Sequence, residues 1–366
     1  MTSLDDLPIR DDLRGLSPYG APQVHVPVAL NVNENSFGVP EEVARTIVEA
    51  LAHEIPNLNR YPDREFVALR GALASYLGHG IQPEQVWAGN GSNEVLQHVL
   101  QAFGGTGRSL LSFTPSYSMY PLQANGVAME WIAEPRAEGF GIEPDEAAKI
   151  VRDHDPDVII LCTPNNPTGT LLPNAVIEAV YEASTGIVVV DEAYFEFAPE
   201  GTPSALTLLP GRPRLLVSRT MSKAFAFAGV RLGYLAADAA VIDALRLVRL
   251  PYHLSALTQA AARAALQHSE TMLSTVRSLR DQRDRLIVEL RALGFEPHES
   301  AANFVLFGGV RDPHATFEAL LEAGILVRDV GIPNTLRVSS GTESEITRFL
   351  DALRALGPGG APRIEV

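Results

Sequence analysis

Hydrophobic positions along the middle of this chain follow two alternating spacings. From about residue 40 to residue 255, stretches with helical spacing alternate with short runs of β-branched residues. This order is typical of an α/β fold, in which crossover helices connect the strands of a mostly parallel sheet. Three runs are apolar at successive positions, as parallel strands buried on both faces require. They are DVIILC at 157–162, IVVV at 187–190 and LLVS at 215–218.

A polar cluster follows each of these three predicted strands. The clusters read TPNNPTG, DEAYFEF and RTMSK, in chain order. Ligands of open α/β sheets bind beyond the carboxyl ends of the strands. We therefore expect the three clusters to converge on one site.

The pattern differs on either side of this region. About the first thirty residues contain prolines that interrupt every potential helix, namely Pro8, Pro18, Pro22 and Pro27. After Pro251, the spacing predicts a long helical stretch that ends at Gly294, with apolar positions at Val276, Leu279, Leu286, Leu290 and Leu293. The segments ANFVLFGG, GILVRDVG and NTLRVSSGT then predict three short strands, with helices between and after them.

These changes predict three parts of the chain. Residues 1–35 form an extended N-terminal arm, residues 36–255 a large domain, and residues 256–366 a smaller C-terminal α/β domain that packs with the arm. A chain of 366 residues is longer than one hydrophobic core usually serves, which also favours two packed domains.

Composition narrows the classes of protein to which the chain can belong. With 46% hydrophobic and 20% charged residues, it is expected to be globular. The net charge of −15 repels nucleic acid phosphates and anionic lipids, so neither is expected as a partner. Cys162 is the single cysteine, which forbids an internal disulfide and favours a cytoplasmic location. The acidic first residues predict no signal peptide, and no apolar run reaches membrane-spanning length.

Lysine is rare in this sequence. Of the 29 basic residues, two are lysines, Lys149 and Lys223, and all others are arginines, which cannot act as amine nucleophiles. Lys149 lies in the acidic segment EPDEAAKIVRDHDPD, where ordinary surface ion pairs explain it. Lys223 is followed by apolar residues and glycines, with no acid nearby in sequence. It is the better candidate for chemistry.

A reactive lysine such as Lys223 could bind an aldehyde cofactor, and other residues of the sequence match the further needs of pyridoxal phosphate. A lysine amine can hold its aldehyde as a Schiff base, and Asp191, at the end of IVVV, could keep its pyridine nitrogen protonated. The alternatives for Asp191 are a helix cap or a metal ligand. Only Glu192 accompanies it, so no metal site is expected.

Three further residues could contact the cofactor ring. Asn166 and Tyr194 could form hydrogen bonds with the phenolic oxygen, and Tyr117 could stack on the ring. Each has a simpler alternative, since PNNPTG is good turn chemistry and both tyrosines could serve packing alone.

A phosphate site is predicted where AGNGSNEVLQHVL turns into an amphipathic helix. Free backbone N–H groups at Ser92 and Asn93 would lie at the positive end of that helix. The turn matches neither a dinucleotide fingerprint nor a P-loop. Thr220, Ser222 and Arg231 flank Lys223 and could complete the site. The alternative is a capped helix and a surface arginine.

These motifs together resemble a known family. NGSNE, PSYSMY, PNNPTG, DEAY and S-x-x-x-SKAFAFAGVRLGY, in this order, resemble the fold-type-I pyridoxal phosphate aminotransferases, and especially the histidinol-phosphate aminotransferases. SPYGAP, LNVNENSFG, RYPD, PYHLS, ANFVLF and GILVRD…LRVSSGT match as well, so the resemblance covers essentially the whole chain. Ser36 departs from the proline that is usual in the family.

The resemblance implies a role for each candidate residue. Lys223 would bind the cofactor covalently and then act as general acid and base at the substrate, with Asp191 and Tyr194 as the other catalytic residues. The cofactor ring would contact Asp191, Asn166, Tyr194 and Tyr117. The cofactor phosphate would contact Ser92, Asn93, Thr220, Ser222 and Arg231. Tyr61, in RYPD, would reach the phosphate in the neighbouring subunit, which implies a homodimer with shared active sites.

Two arginines are candidates for substrate binding. Alternation in LRVSS places Arg337 opposite Leu336 and Val338, and Arg328 ends the preceding strand. Paired arginines in an acidic protein suggest an anionic substrate, although a surface ion pair of Arg328 with Asp329 is an equal alternative. The resemblance implies that both arginines bind the substrate phosphate or a glutamate carboxylate, in a pocket also lined by Tyr19 and Asn33.

The predicted reaction is transamination between L-histidinol phosphate and 2-oxoglutarate, giving imidazole acetol phosphate and L-glutamate. An aromatic amino acid aminotransferase and a threonine-phosphate decarboxylase are alternatives within the same fold. An effector-sensing domain of a transcription regulator would need a basic DNA-binding module, and a nicotinamide dehydrogenase would need the missing fingerprint. A serine hydrolase is disfavoured because its Gly-x-Ser-x-Gly motif is absent.

Overall fold

The computed structural model describes residues 6–15, 20 and 22–360 of the chain. The strands are β1 (Val28–Ala29), β2 (Val86–Gly89), β3 (Ser109–Thr114), β4 (Glu130–Pro135), β5 (Val158–Cys162), β6 (Ile187–Asp191), β7 (Leu215–Thr220), β8 (Gly233–Ala236), β9 (Glu296–Pro297), β10 (Phe304–Gly308), β11 (Ile325–Leu326) and β12 (Leu336–Ser339). The helices are α1 (Glu41–Glu54), α2 (Val67–Leu77), α3 (Ser92–Phe103), α4 (Met119–Gly126), α5 (Pro144–His154), α6 (Asn174–Ala183), α7 (Ala239–Val248), α8 (Ala256–Gln267), α9 (Ser269–Leu273), α10 (Thr275–Ala292), α11 (Pro313–Glu322) and α12 (Glu343–Leu356).

A seven-stranded sheet forms the larger part of the molecule. Its strand order is β2-β8-β7-β6-β5-β3-β4, and β8 alone runs antiparallel to its neighbours. All residues of β5, β6 and β7 are buried, because helices cover both faces of a parallel sheet. The predicted α/β fold with a mostly parallel sheet is confirmed.

The ends of the three central strands are aligned by their register. Cys162 pairs with Asp191, and Asp191 pairs with Ser218 on the next strand. The polar segments that follow β5, β6 and β7 therefore leave the sheet side by side. The predicted convergence of the three clusters is a direct result of this register.

The C-terminal part is built around a smaller antiparallel sheet. Its strand order is β12-β10-β9, with α11 and α12 packed beside it. The second of the three predicted strands of this part, β11, pairs with β1 of the N-terminal arm instead, in parallel register. Its continuation at Arg328 forms a single antiparallel bridge to Arg337 of β12. The arm is thus joined to the C-terminal part by backbone hydrogen bonds.

Helices α8 and α10 connect the two parts. The buried alanines Ala261, Ala262 and Ala265 of α8 belong to the same core as the seven-stranded sheet, whereas Leu286 and Leu290 of α10 belong to the core of the smaller sheet. The domain bounds therefore stay a prediction, and the packing of α8 favours a boundary beyond residue 255. Across the described part of the chain, none of the helices combines the length and apolar character needed to cross a bilayer.

Candidate active site

A cavity of about 410 Å³ opens where β5, β6 and β7 end. Most residues selected from the sequence line it: Asn33, Ser92, Asn93, Tyr117, Asn166, Asp191, Tyr194, Thr220, Ser222, Lys223, Arg231, Arg328 and Arg337. Tyr61 lies elsewhere on the surface, and Tyr19 lies outside the described residues. The fold thus gathers residues that are up to about three hundred positions apart in sequence.

Lys223 follows β7 and projects into this cavity. Its Nζ atom donates a hydrogen bond to the Val32 carbonyl oxygen over 2.8 Å. Burial and the positive charges of Arg337 and Arg231 together lower the pKa of the Lys223 amine to about 8, and the charge of Glu34 opposes this shift. Near neutral pH, a substantial fraction of this amine is unprotonated and can react as a nucleophile.

Asp191 ends β6 and is almost completely buried. Its Oδ2 atom accepts a hydrogen bond from Tyr120 Oη over 2.8 Å, and its Oδ1 atom accepts one from Ser218 Oγ over 3.2 Å. Burial raises the pKa of this carboxyl group, while both hydrogen bonds act in the opposite direction. Among the described residues, no basic side chain forms a salt bridge with Asp191. A buried carboxylate of this kind is stabilised by a cationic ligand group such as a protonated pyridine nitrogen.

Tyr194 is held by two amides. Its hydroxyl oxygen accepts hydrogen bonds from Asn33 Nδ2 over 3.0 Å and from Asn166 Nδ2 over 3.3 Å. Burial raises the pKa of the phenol well above its ordinary value, so the hydroxyl stays protonated. With its oxygen already accepting from two amides, Tyr194 has its own proton available for an oxygen of a bound ligand.

The start of α3 forms an anion cradle together with Arg231. Gly91 precedes the helix at φ 87° and ψ 163°, a conformation essentially restricted to glycine. A Cβ atom at Gly91 would lie 2.5 Å from Arg231 Nη2, so the guanidinium packs directly against the turn. Arg231 Nη1 also donates to Ser222 Oγ over 3.4 Å. Backbone N–H groups, a hydroxyl and a guanidinium therefore converge as a phosphate requires.

The two candidate substrate arginines, Arg328 and Arg337, also line the cavity. Arg337 is buried; its guanidinium donates to Asn166 Oδ1 and, over 2.7 Å, to the Asn31 carbonyl oxygen. Arg328 donates to the Gly20 carbonyl oxygen over 3.2 Å. Backbone hydrogen bonds of 3.0 and 2.8 Å between the two residues hold them adjacent. Leu336 and Val338 point into the hydrophobic core, as the alternation in LRVSS predicts.

Pyridoxal phosphate fits these groups. The cavity provides an amine of lowered pKa, a buried carboxylate and an anion cradle. The side-chain oxygen of Asn93, at the cradle, is buried and has no hydrogen-bond partner within the described protein. The residues are therefore suited to hold the aldehyde, the ring and the phosphate of this cofactor at separate points.

Sequence reasoning missed the groups that surround Asp191. Tyr120 and Ser218 were not selected, although both donate hydrogen bonds to it. Ser218 could have been found as the last residue of the LLVS run beside Asp191. Tyr120 gave no comparable signal, because PSYSMY drew attention to Tyr117. The two tyrosine rings lie perpendicular, with centroids 5.5 Å apart.

Glu192, which follows Asp191, belongs to a separate buried network. Its Oε2 atom accepts hydrogen bonds from Arg219 Nε over 3.0 Å and from Arg219 Nη2 over 2.8 Å. Ser204 Oγ donates to the same carboxylate, and Glu196 lies 3.8 Å from Arg219 Nη1. The carboxylate of Glu192 is thus engaged in fixing the segment after β6.

Tyr61 lies on an exposed apolar surface. Its side chain is 80% exposed and stacks on Tyr252, with ring centroids 4.4 Å apart. Other large apolar side chains exposed in the sequence segments around these two tyrosines are Ile55, Leu58, Val67, Leu247, Leu250 and Leu257. Salt bridges of Glu65 with Arg246 and Arg249 join the two segments. Within one chain, Tyr61 does not line the cavity.

Comparison with known proteins agrees with this geometry. The model of the aminotransferase class I and II family matches residues 26–353. A histidinol-phosphate aminotransferase of Paenarthrobacter aurescens strain TC1 is 60% identical over 98% of this chain and 97% of that protein. One from Thermobifida fusca strain YX is 57% identical over 96% of each chain.

Solved structures show the same fold. The histidinol-phosphate aminotransferase of Sinorhizobium meliloti in complex with pyridoxal-5'-phosphate superimposes with a TM-score of 0.86 at 24% identity, covering 96% of this chain and 98% of that one. Aspartate aminotransferase from Thermus thermophilus with maleate gives a TM-score of 0.77 at 25% identity, over 89% and 91% of the two chains. With the family model and relatives of high identity both spanning nearly its full length, the chain belongs to the class I and II aminotransferases and, within them, to the histidinol-phosphate aminotransferases.

Proposed function

We propose that this chain catalyses transfer of the amino group of L-histidinol phosphate to 2-oxoglutarate, giving imidazole acetol phosphate and L-glutamate in histidine biosynthesis. The observation that carries the proposal is one cavity that brings Lys223 and Asp191 together with Arg328 and Arg337, in a chain closely similar to histidinol-phosphate aminotransferases. When bound, pyridoxal phosphate supplies an aldehyde that reacts with amines and a ring that stabilises negative charge at the substrate carbon.

Lys223 serves as the general acid and base. Its amine has a pKa of about 8, which suits both removal and return of a proton at the substrate Cα. Asp191 holds a proton on the ring nitrogen, and its burial excludes water from that contact. Asn33 and Asn166 keep the Tyr194 hydroxyl in place, from where it would donate to the phenolic oxygen of the bound cofactor.

The cradle at α3 anchors the cofactor by its phosphate. Ser92 and Asn93 offer backbone N–H groups at the positive end of the helix, and Arg231 adds a full positive charge. Thr220 and Ser222 add hydroxyl groups from the segment that carries Lys223. The same segment thus contributes to the phosphate site and carries the reactive amine, in keeping with the adjacent positions of the aldehyde and the phosphate arm on the pyridine ring.

The paired arginines select anionic substrates. In a protein of net charge −15, a phosphate dianion needs local positive charge, and planar guanidinium groups match its oxygens in pairs. Arg337 is held rigid by Asn166 and the Asn31 carbonyl, so little rotamer freedom is lost on binding. The same two groups can bind the distal carboxylate of 2-oxoglutarate in the second half-reaction.

The test is a half-reaction assay with three amino donors. Holoenzyme is mixed separately with histidinol phosphate, phenylalanine and threonine phosphate, and the absorbance change of the cofactor gives the rate. Histidinol phosphate should react fastest. A preference for phenylalanine would support an aromatic aminotransferase instead, and release of CO₂ from threonine phosphate would support a decarboxylase.

Variants of the paired arginines test how the phosphate is recognised. Arg337→Ala and Arg328→Ala should each cost about 2–5 kcal/mol of binding for histidinol phosphate, and much less for histidinol, which has no phosphate. Arg212→Ala, at a surface salt bridge with Glu178 outside the cavity, should leave both donors unchanged. Equal losses for both donors in the paired-arginine variants would rule out phosphate recognition by these residues.

We also propose that the working enzyme is a cytoplasmic homodimer in which Tyr61 completes the site of the neighbouring subunit. The support is the exposed stack of Tyr61 on Tyr252 and the apolar side chains exposed around it. Surfaces of this kind are typical of contacts between subunits. The buried free thiol of Cys162 fits a reducing compartment.

A further inference from the structure

Tyr120 contacts two of the groups that would surround the cofactor ring. Its hydroxyl donates to Asp191 Oδ2 over 2.8 Å, and its ring lies perpendicular to Tyr117, with centroids 5.5 Å apart. Tyr120 and Asp191 are 1% and 2% exposed, so water does not compete for this hydrogen bond. Tyr120 is in the first turn of α4, whereas Ser218, which donates to the other carboxylate oxygen of Asp191, lies on β7.

We propose that Tyr120 is a positioning residue that keeps Asp191 ionised and oriented, so that the proton shared between Asp191 and the cofactor stays on the pyridine nitrogen. This inference rests on the proposed function, because it concerns the same cofactor site. It assigns a role to a residue that does not itself line the cavity.

The physical basis is the proton affinity of a buried carboxylate. Hydrogen bonds donated to a carboxylate stabilise its charged form and lower its affinity for a proton. Burial and the charge of Glu192 raise the pKa of Asp191, whereas Tyr120, Ser218 and the backbone N–H of Ala193 lower it. Without Tyr120, the balance moves toward a protonated Asp191 and a neutral ring nitrogen. A neutral ring withdraws electrons less strongly.

Tyr120 is well suited to this task because it remains a neutral donor. Burial raises the pKa of its phenol well above the ordinary value, and the negative charge of Asp191 acts in the same direction. The hydroxyl therefore donates its proton throughout the working pH range. A histidine in this place would change its charge near neutral pH.

The test uses Tyr120→Phe, which deletes one hydroxyl and keeps the ring that contacts Tyr117. The holoenzyme is loaded with pyridoxal phosphate labelled with ¹⁵N in the ring, and its ¹⁵N resonance reports whether that nitrogen is protonated. We expect a pyridinium-like resonance in the wild type and a shift toward the neutral pyridine value in Tyr120→Phe. The proton distribution should change by about tenfold, a typical effect of one hydrogen bond to a charged group.

Tyr76→Phe is the matched control. Tyr76 also donates to a buried carboxylate, that of Glu196, but it does not line the cavity or contact Asp191. The Tyr76→Phe variant should keep the wild-type resonance.

In Tyr120→Phe, kcat should fall about tenfold with little change in the KM for histidinol phosphate, since one pKa unit of ring basicity corresponds to a factor of ten.

An unchanged resonance in folded, cofactor-loaded Tyr120→Phe would overturn the proposal. If Tyr120→Phe does not bind the cofactor, Ser218→Ala takes its place, because it removes the longer hydrogen bond, to Asp191 Oδ1. Ser218→Ala should shift the ¹⁵N resonance in the same direction, but by less. No shift there would also overturn it. Failure of the proposed function is distinguishable, because it would show as absent transamination by the wild type, whereas the ¹⁵N measurement requires cofactor binding alone.

Discussion

At the scale of single residues, the reactivity of this protein depends on how a few charged groups are buried. Lys223 and Lys149 have the same side chain and opposite environments. Lys149 is exposed and forms a salt bridge with Asp153, which raises the pKa of its amine. Lys223 is surrounded by protein and by the charges of Arg337 and Arg231, which lower its pKa to about 8. Only the second environment leaves an appreciable fraction of the amine neutral near neutral pH.

The two lysines should therefore titrate far apart in the apoprotein. After reductive methylation with ¹³C-formaldehyde, each lysine gives its own methyl resonance, and assignment uses Lys149→Arg. We expect the Lys223 resonance to titrate near pH 8, and that of Lys149 above its ordinary value of 10.5. Midpoints above pH 10 for both residues would contradict the environment described for Lys223.

The lowered pKa of Lys223 also makes the unfolding free energy of the apoprotein depend on pH. Its folded-state pKa is lowered, so the unfolded chain binds more protons between about pH 8 and its ordinary 10.5. The contribution of Lys223 to the unfolding free energy of the apoprotein therefore rises with pH across this window. Below about pH 8, the folded protein carries the full free-energy cost of burying the charged amine.

At the scale of elements, a buried ion pair holds the ends of β6 and β7 together. Arg219, on β7, binds Glu192, directly after β6, through two hydrogen bonds. Both side chains are less than 10% exposed. The same two strand ends carry Asp191 and lead to Lys223, so this pair keeps the two catalytic groups in register.

Arg219→Met should lower the unfolding free energy by about 3–5 kcal/mol, because it leaves a buried carboxylate without its partner. Arg212→Met, at the more exposed pair with Glu178, should cost less than about 1 kcal/mol. Equilibrium unfolding in urea measures both. The double variant Glu192→Leu/Arg219→Met should recover part of the loss, and equal losses for the two single variants would contradict the structural role of the pair.

The turn into α3 is a second element whose geometry depends on one residue. Gly91 has a positive φ and leaves no room for a Cβ atom beside Arg231. Gly78, at the end of α2, also has a positive φ, of 66°, but a Cβ atom there would meet open space. Alanine substitutions at the two positions therefore separate the effect of backbone strain from the effect of losing the phosphate cradle.

Gly91→Ala should weaken binding of pyridoxal phosphate by tenfold or more, because the guanidinium of Arg231 must move out of the cradle. Gly78→Ala should cost about 1–3 kcal/mol of stability through backbone strain alone and leave cofactor affinity unchanged. Titration of apoprotein with the cofactor measures affinity, and thermal unfolding measures stability. Equal cofactor affinities in the two variants would show that Gly91 is needed for conformation only.

At the scale of the whole molecule, the proposed dimer explains why Tyr61 is exposed. Its ring stacks on Tyr252 at the surface, and Leu58 and Val67, close to Tyr61 in sequence, also expose large apolar side chains. Exposed aromatic and aliphatic groups in this number are costly in an isolated chain. A second copy related by two-fold symmetry would cover them and could place each Tyr61 at the other cavity.

Mixing inactive variants tests this shared site. Lys223→Ala subunits mixed with Tyr61→Ala subunits should recover activity at about a quarter of all sites, because random exchange makes half of the two-fold dimers hybrid and one site of each is intact. A mixture of Lys223→Ala with Asp191→Ala should recover none, because both residues line the same cavity. Absence of recovery in the first mixture, with subunit exchange verified, would exclude a composite site.

Several features of this protein can be predicted from its sequence. The runs DVIILC, IVVV and LLVS predict buried strands, because β-branched residues in apolar runs have few other stable arrangements, and all three are strands of the central sheet. The scarcity of lysine singled out Lys223, and the glycine turn before an amphipathic helix predicted the cradle at Ser92. Apart from the lysine count, which is taken over the whole chain, each of these signals lies within about fifteen neighbouring residues.

Contacts between distant segments were decided by the tertiary structure. Asn33 reaches Tyr194 across 161 positions, and Tyr120 reaches Asp191 across 71. The pairing of β11 with β1, which joins the arm to the C-terminal part, likewise leaves no trace in either two-residue strand. A sequence pattern records how a segment folds locally, whereas the pKa of Lys223, the partners of Asp191 and the exposure of Tyr61 depend on which segments pack together. That packing is set by the register of the sheet and by the burial of the whole core.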